Sequence, residues 1–74
     1  MTKEEKLKGW VARDKFDNGL SMYSVAKPER ERGFWSNDGH KGASRMFINK
    51  EFFPELKWED EPIEVELIIK RIDD

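Results

Sequence analysis

The chain has 74 residues, no cysteine, nine aromatic residues and a formal net charge of −2, although 41% of its residues are charged. A chain of this length is expected to form one domain with a small core, since domains near this size bury only about 60% of the surface that the unfolded chain exposes. The composition excludes disulfides, thiolate nucleophiles and cysteine-ligated zinc, and no run approaches the ~20 apolar residues of a membrane span, so we expect a reducing, cytoplasmic setting.

The predicted elements begin after a charged N-terminal segment. We expect residues 1–6 to be frayed, and residues 72–74 likewise, and the N-terminus lacks the apolar run of a signal peptide. Residues 9–13 predict the first strand, and the alternation over residues 20–26 predicts the second. Between them stands Asn18-Gly19, a pair that is typical of a tight hairpin turn.

Three further strands are predicted in the rest of the chain. They cover residues 33–36, 44–48 and 63–70, and the last begins with a regular alternation of apolar residues and glutamates. Residues 29–32 come between the second and third strands, and their alternating charges predict a connector. Each predicted strand is short, and polar or glycine-containing segments separate it from the next.

A short turn is predicted before the last strand. Asn49 suits a helix N-cap and Pro54 ends any helix, which leaves residues 50–53 for one 3₁₀ turn. Short strands at regular spacing with turns between them are typical of a sandwich or a small barrel. The predicted fold class is therefore all-β: one domain over residues 1–74, built as a five-stranded curled sheet or an SH3-like barrel.

Adjacent apolar pairs are the most informative feature of the predicted strands. Neighbouring residues of a strand point to opposite faces, so the pairs at residues 34–35, 47–48 and 68–69 each place one bulky group inside and one outside. A domain this small is expected to have more apolar side chains than it can bury. Ile68 is then covered either by the N-terminal segment around Leu7 or by another chain.

Two stretches of the sequence carry a resemblance. Residues 10–14 read Trp-Val-Ala-Arg-Asp, and residues 53–62 read Phe-Pro-Glu-Leu-Lys-Trp-Glu-Asp-Glu-Pro and lead into Val-Glu-Leu at residues 65–67. This string resembles a group of short hypothetical proteins from gut anaerobes and their phages or mobile elements, over about residues 10–67. The resemblance implies an intracellular protein of an accessory gene, and it brings no activity, substrate, ligand or functional residue with it.

Few residues are candidates for chemistry. His40 is the single histidine, and since a general base needs an orienting partner and zinc needs three or four ligands, we interpret it as a polar loop residue. The three adjacent carboxylates within residues 58–62 lack the spacing and the glycine of a calcium-binding EF-hand loop, and we interpret this segment as a solvated acidic loop. We predict no catalytic, cofactor-binding or metal-binding residue, no cofactor and no enzymatic activity.

The sequence favours an interaction module of a phage or mobile element that binds a protein partner, or itself, through an aromatic and aliphatic surface. One alternative is single-stranded nucleic-acid binding through Trp35 and the nearby arginines and lysines, because bases stack on exposed rings and phosphates pair with cations. Another is an inhibitor whose acidic residues 55–66 mimic nucleic-acid charge. The candidate partner surface comprises Trp35, Ile68, Trp58, Arg30, Arg32 and Arg45.

Overall fold

A computed structural model describes residues 4–70 and has strands but no helix in that range. The strands are β1 (Glu4–Arg13), β2 (Leu20–Ser24), β3 (Glu29–Arg30), β4 (Trp35–Ser36), β5 (Ser44–Ile48) and β6 (Ile63–Lys70). The all-β class predicted from the sequence is confirmed. Across residues 4–70, no helix is long and apolar enough to cross a membrane. The predicted frayed residues 1–3 and 72–74 lie outside the described residues.

Four strands form one antiparallel sheet in the order β5-β2-β1-β6, and β3 and β4 form a separate two-stranded ribbon. The sheet is not a closed barrel, so the SH3-like barrel and the count of five strands are wrong. A barrel closes when its two edge strands pair with each other. In this fold β5 and β6 lie at opposite edges, and the two-residue strands of the ribbon pair with each other instead of bridging that gap.

β1 is longer than its sequence pattern predicts. It begins at Glu4, which lies opposite Lys70 of β6, whereas the sequence pattern predicts a strand only from residue 9. The reason is pairing with a distant strand, which a local pattern does not reveal. β2 pairs with β1 from Gly9 onward. Residues 4–8 and 66–70 therefore extend beyond the four-stranded region as a two-stranded ribbon, which we call the arm.

β2 ends earlier than predicted, at Ser24, because the chain turns sharply at Val25. The φ angle of Val25 is 74°, and the N–H of Ala26 donates to the carbonyl of Ser24 at 2.8 Å, which closes a γ-turn. This backbone conformation is unfavourable for a β-branched residue. The turn directs the following residues away from the sheet and toward the β3–β4 ribbon.

The hairpin between β1 and β2 is confirmed, but its turn is wider than Asn-Gly predicts. Arg13 lies opposite Leu20, which leaves six residues, 14–19, in the loop. Asn18 has the predicted positive φ, 58°, whereas Gly19 lies outside that region. The N–H of Asp14 donates to the carbonyl of Gly19 at 2.8 Å within the loop, whereas the N–H of Lys15 donates outside it, to the carbonyl of Gly33 at 2.9 Å, and so does not take part in a tight turn.

Residues 49–62, which we call the wrapping loop, connect β5 to β6 through hydrogen-bonded turns, and the predicted 3₁₀ turn is absent from them. The first turn has Phe52 N–H donating to the Asn49 carbonyl at 3.0 Å, and the second has Leu56 N–H donating to the Phe53 carbonyl at 2.9 Å. Asn49 does cap the first turn, since its Oδ1 accepts from the N–H of Glu51 at 2.8 Å. Pro54 has no N–H, so the turn cannot continue as a helix.

The sheet has a small core on each face, and the wrapping loop contributes to both. The Val11 face has the buried residues Val11, Leu20, Met22 and Leu56. The Tyr23 face has the buried residues Ala12, Tyr23 and Trp35, with Trp58 packed against them. Leu56 and Trp58 both belong to the wrapping loop, so this loop passes around one end of the sheet from one face to the other.

A buried arginine anchors the wrapping loop. The side chain of Arg13 is 4% exposed, and all five of its N–H donors reach backbone carbonyls. The acceptors and distances are Leu56 at 2.6 Å, Asn18 at 2.9 Å, Phe52 at 3.0 Å, Lys50 at 3.1 Å and Phe53 at 3.1 Å. Four of these carbonyls belong to the wrapping loop. Arg13 therefore supplies the donors that a helix or a sheet would otherwise provide to this segment.

Replacing Arg13 with methionine removes these donors and leaves the buried carbonyl of Leu56 and four partly buried carbonyls without this partner, and a buried carbonyl without a partner costs about 1–3 kcal/mol. We expect Arg13→Met to lower the free energy of unfolding by about 3 kcal/mol or more, a large fraction of the stability of a small domain. Urea unfolding followed by tryptophan fluorescence measures the change. Arg32→Met, at an exposed arginine, is the control and should be nearly neutral. Equal effects of the two substitutions would contradict the anchoring role.

Candidate partner-binding surface

Trp35, predicted as part of a partner surface, is buried. It is 2% exposed and lies in the core of the Tyr23 face. Its Nε1–H donates to the carbonyl of Arg13 at 2.9 Å, and its carbonyl accepts from the Tyr23 hydroxyl at 3.0 Å. The β3–β4 ribbon folds over the sheet and carries this ring inward. Trp35 is therefore unavailable for stacking on a base or on a partner.

Trp58 and Arg30, two further predicted surface residues, belong to the cover of this core. The rings of Trp58 and Trp35 meet edge to face, with centroids 5.6 Å apart. The guanidinium of Arg30 lies 4.7 Å from the Trp35 centroid and 4.8 Å from that of Trp58. It also donates to the carbonyls of Trp58 and Asp60 at 2.8 and 3.2 Å. Arg30 thus holds the ribbon against the wrapping loop through cation–π contacts and hydrogen bonds.

The remaining predicted surface residues are exposed but lie apart. Arg45 is on β5, with its guanidinium 4.9 Å from the Phe47 centroid, and Ile68 is on β6, at the opposite edge of the sheet. Ile68 is 52% exposed, although Lys6 lies opposite it across the arm. Arg32 lies between β3 and β4. The six candidates therefore do not form one surface.

A different surface is both apolar and continuous, and it lies on the Val11 face. Two adjoining cavities of about 200 and 160 Å³ share Met22, Met46 and Leu67 as lining residues. We call this surface the apolar trough. Its apolar walls come from four strands and the wrapping loop, namely Leu7, Met22, Met46, Phe52, Val65 and Leu67. Ile69 follows Leu67 on the same face and is 54% exposed.

The trough is open because the wrapping loop covers one end of the Val11 face and stops there. Phe53 and Leu56 pack against the core at that end, whereas Leu7 and Met46 lie beyond it and remain exposed. The sequence contains the signal for this surface, since the odd-numbered residues of β6 are all apolar. Assigning Met46 to it requires the register in which Met46 lies opposite Met22, and pairing register is not local information.

Another cavity, of about 510 Å³, opens near the β1–β2 loop. Lys15, Lys50 and Lys57 line it together with Asp14 and Glu59, so charges of both signs occur there. Within residues 4–70, no group of three or more His, Cys, Asp or Glu side chains is arranged to hold a metal ion.

The predicted acidic run is partly engaged in local contacts. Asp60 accepts from the N–H of Lys57 at 2.9 Å, and Glu64 forms an ion pair with Lys8 at 2.6 Å on the exposed surface. His40 lies in a polar loop between β4 and β5, as interpreted from the sequence, and its side chain is exposed. The carboxylates that remain are on the surface of the wrapping loop and β6.

Burial shifts two titratable groups beneath the ribbon. Removal from water raises the pKa of Asp14 above its ordinary value of 3.8, against the opposing effect of the Trp35 N–H, which donates to Asp14 Oδ1 at 3.1 Å. Burial also raises the pKa of Tyr23, and the neighbouring charge of Asp14 adds to this. Both groups lie in the core of the Tyr23 face, and both have structural hydrogen-bond partners there.

Comparison of the chain with protein-family models, with curated proteins and with solved structures gives no match. Function is therefore inferred from the geometry and chemistry of the chain itself.

The raised pKa of Asp14 predicts a pH dependence of stability. The folded chain holds the Asp14 proton more tightly than the unfolded chain does, so ionisation costs stability. That cost develops as the pH rises from about 3.8 through the folded pKa and is constant above it. Asp14→Asn keeps the oxygen that accepts from Trp35 and removes the titration. We expect this variant to gain stability relative to the native chain over that pH range.

Urea unfolding at a series of pH values from about 4 to 7 measures this difference. Asp38→Asn is the matched control, since Asp38 is exposed in the loop between β4 and β5 and is not among the groups whose charge acts on Asp14. A difference between Asp14→Asn and the native chain that does not change with pH would contradict the assignment.

Proposed function

We propose that this chain is a non-enzymatic protein-interaction module of a phage or mobile element, and that the apolar trough is its working surface. The observation that carries the proposal is the exposure of apolar side chains at one contiguous place. Leu7, Met46, Phe52 and Ile69 are all exposed on the Val11 face, around the partly buried Leu67. Although the chain is rich in charged residues, their side chains leave this apolar face exposed, and exposed apolar patches often mark binding surfaces.

The chemistry of the trough favours a polypeptide with apolar side chains as its partner. Two methionines and two phenylalanines line it, and flexible methionine side chains adapt to partners of different shape. The edge strands β5 and β6 flank it with backbone groups, which an extended segment can use through strand addition. Apolar pockets beside an open sheet edge are the features by which such sites select alternate side chains of a bound strand.

The alternative of nucleic-acid binding required an exposed tryptophan ring at residue 35. Trp35 is buried, and Arg30 contacts two tryptophan rings and two carbonyls of the chain itself. Inhibition by acidic charge mimicry has gained no supporting geometry, since the Glu64 carboxylate is paired with Lys8. We therefore retain the protein-interaction proposal alone.

Two adjacent residues of β5 provide a matched test. Met46 is 48% exposed in the trough, and Phe47 is 68% exposed on the opposite face. A display library of random peptides selected on the immobilised chain should give binders with alternating apolar residues. Met46→Glu should weaken the binding of these peptides by about tenfold or more, because it replaces an apolar contact that the bound peptide would bury with a charge.

Phe47→Glu introduces the same charge on the same strand and should leave peptide binding unchanged. Circular dichroism establishes that both variants are folded. Failure to select any peptide, or equal loss of binding in the two variants, would overturn the trough as the working surface.

A further inference from the structure

The outer edge of β6 is unusual for a strand with one neighbour. Within residues 4–70, β6 pairs with β1 alone, and their register is continuous from Glu4 opposite Lys70 to Val11 opposite Ile63. Its sequence, IEVELIIK, has five apolar residues among eight and contains neither proline nor glycine. Folded proteins normally protect a long apolar edge with proline, bulges or inward-pointing charges. Along β6 the described part of this chain has no proline and no bulge, and its charged side chains are limited to Glu64, Glu66 and Lys70.

The arm gives a second reason to expect a partner strand at this edge. Residues 66–70 of β6 pair with residues 4–8 of β1, and those residues of β1 lie beyond the part of the strand that pairs with β2. Two-stranded ribbons are marginally stable in water, and a third strand or a packed layer is what stabilises them. The arm also carries Leu67, Ile68 and Ile69, the last two of which are more than half exposed.

We propose that β6 pairs antiparallel with β6 of a second copy of this chain, around a two-fold axis at Leu67. This inference goes beyond the proposed function, because it concerns the outer edge of β6 and names a second copy of the chain as the partner of that edge, whereas the trough remains open to a peptide. The axis places Leu67 opposite its own counterpart. Residues at equal distances on either side of Leu67 then lie opposite each other and on the same face.

The register is set by side-chain complementarity. With Leu67 at the axis, Glu64 lies opposite Lys70 of the second copy, and the same contact occurs again on the other side of the axis. Val65 lies opposite Ile69, so the exposed Ile69 gains an apolar neighbour. Glu66 lies opposite Ile68 and can cover it with its aliphatic stem. Opposite charges and apolar pairs at such positions stabilise a sheet.

Neighbouring registers are less favourable. An axis at Glu66 places that carboxylate opposite itself, and an axis at Val65 places Glu64 opposite Glu66 twice, both of which are destabilising. An axis at Ile68 keeps Glu66 opposite Lys70 but shortens the pairing to residues 66–70 of the strand. The axis at Leu67 is therefore the longest register of this strand without a like-charge pair.

The resulting sheet has eight strands, four from each copy. A two-fold axis perpendicular to the sheet keeps the Val11 faces of both copies on the same side, so the two troughs form one continuous apolar surface. Pairing of β6 thus stabilises both arms and enlarges the surface proposed for partner binding.

The absence of native cysteine makes cross-linking a direct test. At the axis, two Cβ atoms lie about 4.5–5.5 Å apart, within reach of a disulfide, whereas residues one position away are about 8 Å from their own counterparts. Leu67→Cys should therefore form a covalent dimer under mild oxidation, and Glu66→Cys and Ile68→Cys should do so about tenfold more slowly. Preferential cross-linking at residue 68 or 66 would overturn the register.

Charge reversal tests the same contacts without altering the apolar face. Glu64→Lys and Lys70→Glu should each weaken the dimer by about tenfold in sedimentation velocity experiments, because each creates two like-charge pairs. Within the chain Glu64 pairs with Lys8 and Lys70 lies opposite Glu4, so each variant also changes its own β1–β6 contacts. A mixture of the Glu64→Lys chain with the Lys70→Glu chain keeps these changes but restores both opposite-charge pairs between the copies, and should dimerise more tightly than either variant alone. A mixture that dimerises no more tightly than the single variants would contradict the pairing of these residues.

The β6 dimer and the trough can fail separately. A chain that remains monomeric at all concentrations, yet binds peptides in a manner sensitive to Met46→Glu, would overturn the β6 dimer and support the trough. A dimer with the predicted cross-link that binds no peptide would support the dimer and overturn the trough as a partner site.

Discussion

The fold depends on the buried guanidinium of Arg13. Nearly the whole connection between β5 and β6 lacks regular structure, and its carbonyls need donors that neither a helix nor a sheet supplies. Arg13 provides them from the end of β1, reaching four carbonyls of the wrapping loop and one of the β1–β2 loop. A charged group in this position fixes the loop against the end of the sheet, because moving it away would leave both the charge and the carbonyls unsatisfied.

This anchoring divides the sheet into a covered end and an open end. At the covered end, Leu56 closes the Val11 face and Trp58 helps to close the Tyr23 face, where Arg30 ties it to the ribbon. At the open end the chain has no further segment among its described residues to place over Leu7, Met46 and Leu67. The same shortage of cover explains both the apolar trough and the exposed arm, and it is the physical basis of the partner surface that we propose.

Local patterns predicted much of the fold and little of the surface. Alternation identified the last strand, β6, because apolar and polar residues repeat along it, and β5 was predicted with correct bounds as a short run between polar segments. β3 was missed because Glu29 and Arg30 have no strand pattern and are defined by pairing with β4. Trp35 was expected outside because its burial depends on the folding of that ribbon. The role of Arg13 was invisible for the same reason, since four of its five acceptors lie 37 to 43 residues away.

Solvent accessibility of individual methyl groups tests the division into a covered and an open end most directly. A soluble paramagnetic agent, added to a dilute sample in which the chain is monomeric, enhances the relaxation of methyl groups in proportion to their exposure. The methyls of Met46, Leu67 and Ile69 should be strongly affected, and those of Val11, Leu20 and Leu56 should be protected. Equal protection of both sets would show that the open end is covered, and would contradict the division of the sheet into two ends.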